Sequence, residues 1–195
     1  MLDTHARHIV QPIIERTANL FTRKHLTANQ VTWFAFLLGS STGVLIIYHH
    51  PIWAVLVLWI SGFLDAVDGT MARNQSTTSR WGTLLDITFD RIVELSVILG
   101  IAIVYPQTQF VLLILTASIV VSMTIFLTVG ALSEQKGIKS FYYQAGVAER
   151  TEGFILLSLM VLIPNWLMGI TIIFIIVELF TAMQRVVEAK KILSN

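Results

Sequence analysis

The chain has 195 residues, 55% of them hydrophobic and 13% charged, with a mean hydropathy of +0.74. A soluble domain carries roughly 25% charged residues, so an ordinary soluble globule is excluded and a polytopic membrane protein is indicated. Thirteen Lys and Arg against twelve Asp and Glu leave a net charge of +1 with no basic excess for nucleic acid, and the absence of cysteine removes disulfides, thiolate metal sites and cysteine nucleophiles together. The first residues are polar and charged through Arg7, without the apolar core of a cleavable signal peptide, so a retained N-terminus is expected. Over about residues 3–24, Ile9, Val10, Ile13, Ile14, Leu20 and Phe21 recur at helical spacing with Arg7, Glu15, Arg16 and Asn19 between them. This pattern predicts an amphipathic helix lying in the membrane interface ahead of the first span.

Apolar runs then predict six spans, near Val31–Tyr48, Ile52–Met71, Trp81–Val104, Phe110–Leu132, Gly153–Ile163 and Trp166–Val187. Each reaches, or can be extended to, the roughly 20 residues that cross ~30 Å of hydrocarbon. The fifth is short and extends back to about Gly146, with Glu149, Arg150 and Glu152 at its polar end. The expected fold is an all-α integral membrane protein of one domain. Its six-helix transmembrane bundle covers about 31–187, and a tail follows at 188–195. The connections at His49–Pro51, Tyr105–Gln109 and Pro164–Asn165 contain no Lys or Arg. Basic residues fall instead before the first span, around Arg73, Arg80 and Arg91, around Lys136, Lys139 and Arg150, and at Arg185, Lys190 and Lys191. The positive-inside rule then places both termini and the two charged connections in the cytoplasm.

Ionisable residues inside spans are costly and point to function. Four of the five aspartates lie in one 26-residue stretch, with Asp65 and Asp68 ending the second span and Asp86 and Asp90 opening the third. Spacings of three and four put each pair on one helical face, so two adjacent antiparallel helices can aim four carboxylates at one point. Like charges so placed repel unless hard divalent cations such as Mg²⁺ or Mn²⁺ neutralise them. Gly69, Ala72 and Gly82 sit on the same faces and let a ligand approach closely, while Arg73 and Arg80 can meet phosphate oxygens at the cytoplasmic interface. Carboxylates, metals, a small-residue cleft and arginines together suggest a nucleotide diphosphate site.

The run Asp65-x-x-Asp68-Gly69-x-x-Ala72-Arg73, eight residues, then Gly82-x-x-x-Asp86-x-x-x-Asp90 resembles the signature of the CDP-alcohol phosphotransferase family without a mismatch. With residue usage of roughly 5–8% at each of eight fixed positions, a chance match is on the order of 10⁻¹⁰ per start position. Thr27-Ala28-Asn29-Gln30-Val31-Thr32 is similar to a second family element, in which proline often stands at the place of Ala28. The resemblance implies transfer of a phosphatidyl group from a CDP-linked donor, such as CDP-diacylglycerol, to a small alcohol, with release of CMP and two bound divalent cations, Mg²⁺ or Mn²⁺. It implies that Asp65, Asp68 and Asp86 ligate one metal, that Asp65, Asp86 and Asp90 approach the other, and that Asp90 is the general base. Gly69, Ala72, Arg73, Ser79 and the segment Ala28, Asn29, Gln30 and Val31 would then hold the CDP moiety, with Gly82 admitting cytidine.

For the acceptor, Asp90-Arg91 resembles members that use inositol phosphate, but these tend to carry a basic residue in the fourth span, and Val120 to Leu132 has none. Arg150, opening the fifth span, can anchor a phosphorylated acceptor, and glycerol 3-phosphate is the expected one, with inositol phosphate or a soluble CDP-alcohol reaction as alternatives. Glu178, deep in the sixth span, is read as a partner for Arg91 or Arg150 or as a contact in an expected homodimer. An ion-coupled transporter is the alternative from another class. The clustering of all four aspartates toward the cytoplasmic ends of two consecutive spans, with no mirrored half, favours the enzyme.

Overall fold

A computed structural model describes residues 7–132, 146, 147 and 149–193. They form α1 (Arg7–Arg23), α2 (Ala28–Ile47), α3 (Pro51–Asn74), α4 (Arg80–Val104), α5 (Gln109–Leu132), α6 (Arg150–Leu162) and α7 (Leu167–Leu193). Single 3₁₀ turns at Pro106–Thr108 and Pro164–Trp166 join α4 to α5 and α6 to α7, and no strand occurs among the described residues. The connection carrying Lys136 and Lys139, the start of the expected amphipathic helix before Arg7 and the last two residues of the tail lie outside them.

Local chemistry explains the helix starts. Thr27 caps α2 through a capping box, its hydroxyl accepting from the Gln30 N–H at 3.3 Å while the Gln30 side chain accepts from the Thr27 N–H at 2.9 Å. The turn is therefore fixed by two hydrogen bonds, and α2 begins three residues before the apolar run does. Pro51 opens α3 at a position where its missing N–H costs nothing, and Ser79 caps α4 by accepting from the Gly82 N–H at 3.0 Å. At the far end, α7 continues as helix to Leu193, through most of the stretch expected as a tail.

The helices fall into two compact units, α1–α4 and α5–α7. In the first, α2 packs against both α3 and α4, and α1 packs against α3. The α2–α4 crossing is a backbone contact: a Cβ on Gly100 would lie 2.7 Å from the Gly43 carbonyl oxygen, and one on Gly43 would run into the Ser96 carbonyl. With no hydrophobic drive between helices in lipid, such small-residue contacts gain dispersion over a large area. Ser61 adds a 2.7 Å hydrogen bond from α3 to the Ala35 carbonyl of α2. Ile14 and Ala18 of α1, Val31 and Ala35 of α2, and Leu64, Val67 and Met71 of α3 form one buried cluster, which grips α3 along the two turns that carry its aspartates.

In the second unit α7 packs against α5 and α6. Ser118 and Ser122 on α5 and Thr171, Glu178, Thr181 and Arg185 on α7 are all buried. Arg185 donates to the Ser122 hydroxyl at 3.0 Å and carbonyl at 3.3 Å, and its guanidinium lies 4.9 Å from the centre of the Phe126 ring.

Among the described residues, four segments are long and apolar enough to cross a membrane: Ala28–Ile47, Pro51–Asn74, Pro106–Leu132 and Pro164–Leu193. The other two of the six expected spans differ for separate reasons. Helix α4 has the length, at 25 residues, but carries Asp86, Asp90, Arg91 and Glu94. Helix α6 has 13 residues, which reach only about 20 Å.

Because the α2–α4 contact is backbone against backbone, no rotamer change can accommodate a methyl there. Gly43→Ala is expected to destabilise the detergent-solubilised protein by about 1–3 kcal/mol, read as a lower midpoint in thermal unfolding, whereas Gly169→Ala, whose Cβ would meet only the Trp166 ring at 3.8 Å, leaves the midpoint near that of the parent.

Candidate active site

The last turns of α3 and the first turns of α4 bring the motif residues together. One carboxylate oxygen from each of Asp65, Asp68 and Asp86 lies within 4.8 Å of the others. Asp90 follows Asp86 by one turn on α4 and is half-buried. Two unit charges at this separation repel by about 3–4 kcal/mol at an effective dielectric of 20, so three carboxylates so placed oppose the fold that gathers them. Asp68 is buried, and its Oδ2 has no hydrogen-bond partner among the described residues. A buried carboxylate oxygen without a donor is costly, and an all-oxygen, all-anionic donor set suits Mg²⁺ or Mn²⁺. The residues therefore fit a divalent cation.

Asp68 and Asp86 also form part of the wall of a cleft of about 330 Å³. Of the residues expected to hold a CDP group, Ala28, Asn29, Gly69, Ala72, Arg73, Ser79 and Gly82 line it. Arg73 Nη2 donates to the Thr70 hydroxyl at 2.9 Å, and a Cβ on Gly69 would sit 3.3 Å from Arg73 Nη1, so the glycine leaves the guanidinium room to lie along α3. Gln30 and Val31 are not among the lining residues: the Gln30 side chain is held at the Thr27 N–H, and Val31 is packed in the core beneath α1. Arg91 pairs with Glu94 on its own helix, and Arg150, half-buried, lies 5.5 Å from the centre of the Phe154 ring.

The cleft also contains hydroxyls beyond the residues expected to hold the CDP group. Thr27, Thr32, Thr77, Thr78 and Thr83 join Ser79 to give six hydroxyls, and Gln75 adds an amide. The connection that supplies most of them is fixed at three points. Ser76 adopts a left-handed φ of 54°, the Thr77 N–H reaches the Ala72 carbonyl at 2.9 Å, and Gln75 Nε2 donates to the Thr22 hydroxyl of α1 at 3.1 Å. The signal in sequence was the unbroken polar run Gln75–Ser79 between two carboxylate-bearing helices.

The sequence profile of the CDP-alcohol phosphatidyltransferases matches residues 25–184. The chain belongs to this family. It is 31% identical to the archaetidylinositol phosphate synthase of Pyrococcus horikoshii over 98% of this chain and 97% of that one. It is 36% identical to the phosphatidylinositol phosphate synthase of Corynebacterium glutamicum over 48% of this chain and 43% of that one. Two crystal structures of Mycobacterium tuberculosis phosphatidylinositol phosphate synthase share the fold. One, with CDP-DAG bound, has a TM-score of 0.75 at 23% identity, covering 92% of this chain and 94% of that one. The other, in complex with manganese and citrate, has a TM-score of 0.73 at 22% identity, covering 90% and 88%. The chain is thus a transferase of phospholipid biosynthesis and a multi-pass membrane protein, of a family that is metal-dependent.

Removing one carboxylate from the cluster leaves the metal fewer ligands while relieving repulsion in the metal-free protein. Asp68→Asn is expected to weaken Mn²⁺ binding at least tenfold, measured by electron paramagnetic resonance titration of the purified protein. It should also leave the metal-free protein no less stable than the parent.

Proposed function

We propose that the enzyme transfers a phosphatidyl group from a CDP-linked lipid donor, CDP-diacylglycerol or its close chemical equivalent, to a hydroxyl of inositol phosphate, releasing CMP. The observation that carries this reading is that the carboxylate cluster and the hydroxyl-lined cleft are one site, sharing Asp68 and Asp86. Asp65, Asp68, Asp86 and Asp90 would hold two divalent cations. When bound, such ions neutralise charge on the attacked phosphate and on the leaving group. Arg73 and Ser79 engage the pyrophosphate of the donor, Asn29 and the cleft threonines hold its nucleoside, and Gly69 and Gly82 allow close approach. The bond from the acceptor oxygen to the lipid-linked phosphorus forms as the bond to CMP breaks, and Asp90 takes the proton of the attacking hydroxyl.

The relatives named for making archaetidylinositol phosphate and phosphatidylinositol phosphate favour inositol phosphate over the glycerol 3-phosphate expected from sequence. The objection from sequence was the lack of Lys or Arg in the fourth span. Within the α5–α7 unit a cation does lie against α5, because α7 delivers the buried Arg185 guanidinium to Ser122 and Phe126. Arg91, next to Asp90, is the proposed contact for the acceptor phosphate from α4, and Arg150 remains a candidate on α6.

We read α4 and α6 as the third and fifth of six spans, α4 because its 25 residues reach about 37 Å and its carboxylates belong to the site rather than to lipid. Helix α1 suits the membrane interface, with Ile14 and Ala18 turned inward and Val10, Ile13 and Leu20 exposed. The distribution of Lys and Arg supports a cytoplasmic site and cytoplasmic termini, and a second copy of the chain is the expected partner.

Purified protein with radiolabelled CDP-diacylglycerol and Mg²⁺ or Mn²⁺ is expected to release CMP with inositol phosphate, and to stop when EDTA is in excess. Preference for glycerol 3-phosphate would reject the acceptor, and activity persisting in EDTA would reject the metal site. Asp90→Asn should cost about 10²–10⁴ in turnover yet leave calorimetric CDP-donor binding within a few fold of the parent. For sidedness, single cysteines placed at His50, Gln107 and Asn165 in this cysteine-free chain should react with an impermeant maleimide added outside cells, and one at Thr77 should not. The reverse pattern would put the site on the wrong face of the membrane.

A further inference from the structure

We propose that Glu94 is a positioning residue for the transfer, fixing the direction of the Arg91 guanidinium and through it the affinity for the acceptor's phosphate. This rests on the reading of the acceptor as phosphorylated. Glu94 lies one turn beyond Asp90 on α4 and is buried, its side chain 7% exposed. Arg91 Nη1 donates to Glu94 Oε2. The two partners differ in exposure: the Arg91 side chain is 28% exposed, so the cation reaches accessible space while its anion stays in the packed interior beside Val93, Val97 and Ile98.

Two physical points separate this role from simple charge neutralisation. The pair is i,i+3 on one helix, so it ties no two elements together, and a buried ion pair is in general no more stabilising than apolar residues of the same volume. Its effect falls instead on the guanidinium itself. That group is planar and rigid, so a hydrogen bond at one terminal nitrogen restricts the orientation of all five donors together, and a bidentate grip on phosphate depends on that orientation. Adjacent residues on a helix diverge by about 100°, so Asp90 and Arg91 address different points from one short piece of backbone. An acceptor with a reactive hydroxyl and a phosphate a few bonds away offers two such points.

The experiment compares steady-state kinetics of the full-length enzyme in detergent with Glu94→Gln, Glu94→Asp, Arg91→Gln and the double variant. Glu94→Gln is expected to raise KM for inositol phosphate about tenfold, with kcat and the CDP-diacylglycerol KM within twofold, and Glu94→Asp to recover most of the loss. Because Glu94 acts only through Arg91, the double variant should have the acceptor KM of Arg91→Gln alone. That last comparison holds even where Glu94→Gln alone leaves an unbalanced charge and fails to accumulate. A drop in kcat with the acceptor KM unchanged, an equal rise in donor KM, or a further rise in the double variant would overturn the proposal. A parent enzyme that uses inositol phosphate while Glu94→Gln matches it overturns this inference alone. A parent enzyme active only with unphosphorylated alcohols overturns the acceptor reading and this inference together.

Discussion

Holding three carboxylates within 4.8 Å of one another, in a chain built to sit in lipid, is the constraint on which the α1–α4 unit depends. Within α3 and α4 the carboxylates repel and the buried oxygen of Asp68 lacks a donor among the described residues, against which Arg73 of α3 offers an attractive charge. The packing around it therefore has to supply the opposing free energy. It does so at some distance from the charges, through the backbone contact between Gly43 and Gly100, the Ser61 bond to Ala35, and the apolar cluster that α1 presses against α3. Divalent cations that bound the folded form alone would relieve that repulsion and stabilise it by mass action.

The parts of this architecture legible in sequence are those with a one-dimensional signature. Apolar runs locate the described helices to within a few residues except at the end of α7, and fixed spacings of three and four identify the aspartates before any coordinates. The residues that escaped are defined by pairings across helices or by local hydrogen bonds. Gln30 and Val31 sit in the same six-residue element as Ala28 and Asn29, yet successive side chains on a helix point 100° apart, so two face the cleft while one is used in the cap and the other in the core. The threonines of the cleft carry no periodic signal, because a connecting segment is read by its hydrogen bonds and not by its hydrophobicity.

Arg185 illustrates the same limit in the α5–α7 unit. A position-by-position comparison along the fourth span finds no cation and counts that against inositol phosphate as the acceptor. Space does not respect that bookkeeping. The guanidinium arrives from α7, 63 residues later in the chain, and is held by the Ser122 hydroxyl and the Phe126 ring, so the charge belongs to the neighbourhood of α5 without belonging to its sequence. Small residues make this possible: Ser122 is compact enough to admit the long arginine stem, and a Cβ on Gly146 would collide with the Thr181 side chain one turn before Arg185 on α7.

Buried charge in the α1–α4 unit is thus handled in two contrasting ways. Glu94 is given its counter-ion by its own helix, three residues away, and that pairing is complete in the folded chain. Asp68 is given neighbours of its own sign and an oxygen with no donor among the described residues, a state that a bound cation would complete. The difference sorts the acidic residues of one helical hairpin by role, because a carboxylate satisfied from within can orient a side chain but has little left to bind a metal. One left unsatisfied against like charge has its binding capacity intact. The cleft adjoins the second kind, and Gln75 ties its rim through Thr22 to α1, so the helix that suits the membrane surface also holds the entrance to the site where the cations would lie.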